Sequence, residues 1–442
     1  MGNKIILYPS NWLYNAGVVG FLRVLEELSK INQSKEVNCR GSDIERGDLS
    51  KKENLSQKVT QIMQEIEFKP DGEIEIPKTL FIKNDGKLFP ALKFLVKYIV
   101  KDEDINEWLS KENKKGKKYE EKYEEYVKKY FNEDKQFGYE YIRARGKLFG
   151  SNTPYQNLVR ENEWKEFEFV KLLEESIDGE NDDNLSCNFC KRKTIKLEWL
   201  KKDKSLEKRI TLFQNPHTNE LGPSIGKFPN SFWNYQSSTF ICPLCVFIFI
   251  HHIFAFQSLG KQQIFINAPH FNLTYDLNKF ASEILVKQEY EIRKLLGSSL
   301  IQWAIKRRTL LGAWTMMNIE MIIERRVQTG PKQSETIIDY FDLPYHITQI
   351  LLDHEIADLI NRIGEEKIFD LIVAGKFSEL EKANYFVLRA LLKLKNNEKL
   401  SENDPVTKYI DDKNKDHLSK ISNLLPELYA KIIKTLKSGG EI

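Results

Sequence analysis

The chain is short of the features that announce most enzymes. It has no Gly-x-x-x-x-Gly-Lys-Ser/Thr, no Gly-x-Ser-x-Gly and no His-Glu-x-x-His, so no phosphate loop, nucleophile elbow or zincin helix is present. No His-x-Glu occurs anywhere, which excludes a zinc deaminase of the usual pattern. Charge of one sign is also lacking: 67 Lys+Arg stand against 64 Asp+Glu, a net +3, so any basic surface has to come from local clustering. The most apolar run, VFIFIHHIFAF (Val246 to Phe256), is too short to span a bilayer and holds two histidines. The opening MGNKIILYPSNW has no long apolar core or small-residue cleavage site, so no signal peptide is expected. Ile6 stands where a myristoylation signal needs Ser or Thr. A cytoplasmic protein with reduced thiols is the expectation.

Cysteine is scarce as well, with five in 442 residues, yet four of them form two tetrads, CNFC (Cys187, Cys190) and CPLC (Cys242, Cys245). Cys-x-x-Cys offers two thiolates at the bite of one tetrahedral Zn²⁺, and a second pair completes a Cys₄ set. Four thiolates leave no position for water, so the expected Zn²⁺ is structural; buried free thiols are the alternative. The intervening residues 191 to 241 must then fold back so that the tetrads meet. His251 and His252 read as packed helix histidines beside this knuckle.

A length of 442 residues with 41% hydrophobic content accommodates about two or three domains. The expected fold is α+β. Residues 1–275 form a mixed domain that carries the cysteine knuckle and insert at 187–245, and residues 276–442 an all-α bundle of about five or six helices. In the first part, Val18, Phe21, Leu22, Leu25 and Leu28 recur at helical spacing, and EIEIPKTLFI (Glu73 to Ile82) reads as strands broken at Pro77. Residues 32 to 57 read as a solvated loop, and Lys111 to Lys135 as an exposed helix with a tyrosine stripe. In the second part Leu and Ile recur at three- and four-residue spacing, with turn signals at TGPKQ, FDLP and ENDP. Asp353 and Glu355 around His354 resemble a metal cluster, but on an amphipathic helix this pattern reads first as a solvated face.

Two stretches are locally basic. YIRARGKLFGSNTPYQN (Tyr141 to Asn157) sets Arg143, Arg145 and Lys147 among Gly, Ser, Asn and Pro, a loop type suited to phosphates or bases. Residues 191 to 209, beginning Lys191, Arg192, Lys193, hold nine Lys/Arg against three acids, a local +6. GKFPNSFWNYQSS (Gly226 to Ser238) follows, with aromatics among amides and hydroxyls. Phosphate binding with contact to bases explains these residues; so does a solvated charged hairpin with a hydrophobic anchor. Lys306, Arg307 and Arg308 with Arg325 and Arg326 make a further basic group.

The PSNWLYNAGVVGF opening (Pro9 to Phe21), the two tetrads, SFWN (Ser231 to Asn234) and the helical second half together resemble the CXXC–CXXC family of CRISPR-associated proteins, large subunits of type I-B or related type I Cascade complexes. The resemblance implies a non-catalytic subunit that holds crRNA and backbone proteins and recognises the protospacer-adjacent motif in duplex DNA. It also implies that the subunit helps open the duplex and recruits the helicase-nuclease. Guide pairing reads the long sequence, so protein need read only a few base pairs. By their chemistry Asn152, Gln156, Asn157 and Asn234 suit motif reading, and Arg143, Arg145, Lys147 and the run from Lys191 suit the backbone. The helical half resembles the small subunit of such complexes, which the family can also make from an internal start. Met316, Met317 and Met321 permit one, and three methionines of a core helix explain them equally. A stand-alone zinc-dependent nucleic-acid enzyme and a zinc-stabilised protein-interaction module are the competing readings.

Overall fold

The computed structural model describes residues 4–30, 63–81, 173–196, 212–214, 238–259, 262–285, 291–307, 311–330 and 333–438. The fold is α+β, as expected, and divides into two compact units: Met1–Phe256 with His270–Asn272, and Gln257–Pro269 with Leu273–Ile442.

In the first unit, β1 (Lys4–Leu7) leads into helix α1 (Trp12–Lys30). Asn11 starts the helix by accepting the Tyr14 N–H on its side-chain oxygen at 2.9 Å, and buried Asn15 clamps Ser10 through both its amide atoms. β2 (Glu67–Phe68) and β3 (Ile74–Pro77) complete a three-stranded antiparallel sheet in the order β1-β3-β2, with Lys4 opposite Pro77 and Leu7 opposite Ile74. The strand does end at Pro77. Further on lie two short antiparallel pairs, β4 (Leu185–Ser186) with β5 (Lys193–Ile195) and β6 (Leu212–Gln214) with β7 (Ser238–Phe240). Helix α2 (Pro243–Ile250) follows, almost wholly buried. α1 packs along α2 and the 3-10 turn His251–Phe254 after it.

The second unit contains a four-stranded antiparallel sheet in the order β11-β10-β9-β8, from β8 (Gln257–Leu259), β9 (Gln262–Asn267), β10 (Glu320–Gly330) and β11 (Gln333–Asp342). Helices α3 (Phe271–Leu285), α4 (Ile292–Arg307), α5 (Ala313–Met317), α6 (Tyr345–Leu352), α7 (His354–Ile363), α8 (Glu366–Val373), α9 (Phe377–Lys395) and α10 (Lys415–Ser438) complete it. The all-helical expectation for 276–442 therefore needs one correction, because β10 and β11 pair as a long antiparallel ladder, with Glu320 opposite Asp342 and Gly330 opposite Gln333. β10 is a central strand between β9 and β11, and Met321, Ile322 and Ile323 are all buried. Such a strand has no period-two alternation to betray it. α7 is capped at Asp353, whose carboxylate accepts the N–H groups of Glu355 and Ile356 at 2.9 and 3.1 Å, and it ends at Gly364 with φ 70°. The Asp353–His354–Glu355 cluster is thus a helix start, with Glu355 paired to Lys431.

Met321 is buried in β10, whereas Met317 is largely exposed on α5. A chain begun at Met321 would start inside β10 and lack both β9, its hydrogen-bonded neighbour, and α4. Leu295, Leu296 and Leu300 of α4 belong to the same core as α6 to α8. No helix among the described residues is long and apolar enough to cross a membrane.

Candidate metal centre

The two tetrads meet. One ligand atom from each of Cys187, Cys190, Cys242 and Cys245 lies within 4.8 Å of the others, and all four side chains are buried. The first pair sits on the turn between β4 and β5. There Cys187 N–H donates to Arg192 O and Lys191 N–H to Cys187 O, each at 2.9 Å. Lys191 closes the turn at φ 62°, a left-handed conformation. The second pair starts α2, with Cys242 as the N-cap, Pro243 in the first turn and Cys245 one turn on. Asn188 N–H donates to Phe240 O at 2.9 Å, tying the first knuckle to the strand that precedes the second. The long interval is therefore pinned at both ends.

The donor set fits Zn²⁺. A tetrahedron with Zn–S of about 2.3 Å spaces its sulfurs about 3.8 Å apart, and Cys190 Sγ lies 3.7 Å from Cys242 Sγ. Backbone N–H groups already point at sulfur: Cys242 N–H to Cys187 Sγ at 3.3 Å and Cys245 N–H to Cys242 Sγ at 3.4 Å. These bonds and the N-terminal end of α2 favour thiolate. Burial pushes the Cys242 thiol up, but hydrogen bonds from Cys187, Cys190 and Cys245 outweigh it and bring its pKa well below the ordinary value. Burial, first among the causes, holds Cys245 well above. Four sulfurs would complete the coordination sphere of such an ion, so the chemistry it would supply is cross-linking of chain segments.

The surroundings of the tetrad come from α1. Tyr14, fully buried, places its hydroxyl 3.6 Å from Cys245 Sγ and its ring 5.0 Å from that of Phe189, inside CNFC. Burial and the adjacent sulfurs raise its pKa well above that of a free phenol, so the hydroxyl keeps its proton and can donate it to sulfur. Tyr14 was legible in principle, because it stands one turn before Val18 on the apolar stripe of α1. Gly17 and Gly20 let the helix approach: a Cβ on Gly17 would stand 2.9 Å from Ile248 O, and one on Gly20 only 1.9 Å from His251 O. Neither His251 nor His252 joins the sulfurs. Their Nδ1–H groups donate to Phe247 O and Phe249 O at 2.7 and 2.8 Å, in keeping with packed histidines.

His251 is enclosed by Phe21, Phe247 and Phe254, with ring centroids 5.3, 4.8 and 5.9 Å away, and its Nε2 meets no hydrogen-bond partner among the described residues. Burial lowers its pKa to about 4. A base whose folded pKa is depressed contributes nothing unfavourable above its unfolded value near 6.5. It opposes folding increasingly as pH falls from there toward 4, by up to about 3 kcal/mol. His251→Phe is expected to remove that share of the acid sensitivity. Urea unfolding at pH 7.5 and 5 should show a smaller stability loss in the variant than in the parent, and equal losses would contradict it.

Of the residues nominated for nucleic acid, some fall within the described residues. Arg143, Arg145, Lys147, Asn152, Gln156, Asn157 and Asn234 lie outside the described residues, as do Arg308 and the side chain of Arg326. Arg192 is buried at 8% exposure and donates to Ser176 O and Ile177 O at 3.2 and 2.6 Å. Its guanidinium is thus a brace for the knuckle turn. Lys191 and Lys193 are exposed; Lys191 donates to Asn188 O at 2.8 Å and Lys193 pairs with Asp182 at 3.0 Å. In the second unit, Arg307 makes a bidentate pair with buried Asp276 at 2.7 and 2.9 Å. Lys306 lies over the Phe280 ring, and Arg325 pairs with Asp339 across the hairpin.

Residues 180–257 match the family model of a CRISPR-associated protein (Cas_CXXC_CXXC), a segment that encloses both tetrads, β5 and α2. No curated protein and no solved structure matches the chain.

Proposed function

We propose that the chain is a CRISPR-associated protein of the CXXC–CXXC family, whose model residues 180–257 match, and that it is the non-catalytic large subunit of a type I Cascade complex, of the I-B or a related subtype. In this reading it works in the cytoplasm beside crRNA and the backbone subunits, recognises the protospacer-adjacent motif in target duplex DNA, and helps open it. It then presents a surface to the helicase-nuclease. The single observation that carries the proposal is the family match around the paired tetrads.

The chemistry of the site is consistent with this reading. A closed Cys₄ set holds structural Zn²⁺ and has no open position, whereas a stand-alone zinc-dependent nuclease or deaminase needs one. The set pins both ends of residues 191 to 241, an insert whose first part carries a local +6 charge. In this reading exposed Lys191 and Lys193, at the first anchored end, hold phosphates while other side chains read bases.

Salt dependence tests the electrostatic part. Binding of the assembled complex to a matched duplex should weaken steeply as salt rises, because phosphate contacts release counterions. Lys191→Ala with Lys193→Ala should lower affinity on all duplexes alike and reduce the log–log salt slope by about 2. An unchanged slope would remove these lysines from the interface.

A further inference from the structure

Helix α9 is apolar on two faces. Leu380, Ala383, Val387, Ala390 and Leu391 are buried in the core of the second unit. On the opposite side Tyr385, Leu388 and Leu392 are 61%, 45% and 61% exposed, at the three- and four-residue spacing that keeps side chains on one stripe. An amphipathic surface helix normally shows water a polar face, so this stripe calls for an occupant.

The charges at its ends indicate which. Glu381 and Lys395 continue the same stripe, seven residues before and seven after Leu388, and both are exposed. Neither makes an ion pair among the described residues; Lys382, beside Glu381, is taken up by Glu379 at 2.6 Å. Over fourteen residues the two charges stand about 21 Å apart along the axis. A second α9 laid antiparallel, with a two-fold axis at Leu388, brings each Glu381 to the other copy's Lys395. Tyr385 of one copy then falls beside Leu392 of the other. A parallel arrangement would set Glu381 against Glu381 and Lys395 against Lys395. The pattern is self-complementary in one orientation, as a two-fold contact requires.

We propose that the exposed face of α9, centred on Leu388, is a self-association surface through which two copies of the free chain pair antiparallel. About four helical turns per copy make a contact at the small end of specific interfaces, so the dimer is weak, with Kd in the micromolar range or above. Because Leu388 lies on the axis, a charge there meets its own image.

Sedimentation equilibrium of the zinc-loaded full chain from about 1 to 100 μM is the test. The weight-average mass is expected to climb from 51.9 kDa toward twice that value, and Leu388→Glu to hold it at the monomer. Glu381→Lys and Lys395→Glu alone should each raise Kd about tenfold, and the two combined should restore it, because the opposite signs then face each other again. Substitutions at exposed positions should leave thermal unfolding unchanged, which separates lost association from lost folding. A chain monomeric throughout, which would leave the stripe to a different protein, overturns the proposal. So does a dimer that survives Leu388→Glu, or one that the double charge exchange does not restore.

Discussion

Gly20→Ala is expected to unfold the first unit under conditions in which the parent chain is stable. Helix propensity alone would favour alanine by about 1 kcal/mol, so a destabilised variant reports packing. The added methyl carbon would stand 1.9 Å from the carbonyl oxygen of His251 and 2.8 Å from its carbon. A backbone carbonyl in a packed 3-10 turn cannot swing aside like a side chain, so α1 must move off α2 as a whole. Overpacking costs about 1–3 kcal/mol where side chains adjust; here the expected cost exceeds about 3 kcal/mol. Gly17→Ala, whose methyl would meet Ile248 O at 2.9 Å, should cost less, about 1–2 kcal/mol. Urea titration followed by tryptophan fluorescence and circular dichroism orders the three chains. Parent-like unfolding of Gly20→Ala would contradict the close approach of α1 to the turn after α2.

Removal of the metal is expected to have an effect of similar size. The parent should contain one zinc per chain, and Cys187→Ser with Cys242→Ser none. Structural zinc contributes about 10–16 kcal/mol in small zinc peptides, comparable with the whole stability of a domain. The consequence extends beyond the insert, because Cys245 touches Tyr14 and the Phe189 ring packs on it, so the loss reaches α1. The first unit should therefore lose its cooperative transition in the double variant, and in the parent treated with a strong chelator. The second unit has its own core and should keep its transition. Calorimetry resolves the two; a double variant that retains both transitions would show that hydrophobic packing holds the knuckle without metal.

Helix α1 and the Cys₄ set were legible because each is written in local spacing, with apolar residues at helical intervals in one and two Cys-x-x-Cys bites in the other. The hairpin β10–β11 was not. Met321, Ile322 and Ile323 are buried together on a central strand, a run that resembles buried helix until β9 and β11 flank it, and the pairing of Arg325 with Asp339 exists only once the register is set. The setting of Arg192 was hidden for the same reason. The charge of Arg192 is visible in the sequence, whereas its burial against Ser176 and Ile177 depends on a segment that folds back from before the knuckle. Gly20 shows the limit most sharply, since a glycine in the middle of a helix looks like a defect until the partner carbonyl is in place.

The most direct test of the central claim is made on the assembly. The chain would be co-expressed with crRNA and the neighbouring CRISPR-associated backbone proteins, and the purified complex challenged with duplexes carrying randomised bases beside a matched target. Incorporation of the chain, with a preference for a short flanking motif that is lost in Cys187→Ser/Cys242→Ser, is the predicted result. A chain that stays out of the assembly, or enters it without altering the flanking preference, would contradict the large-subunit role.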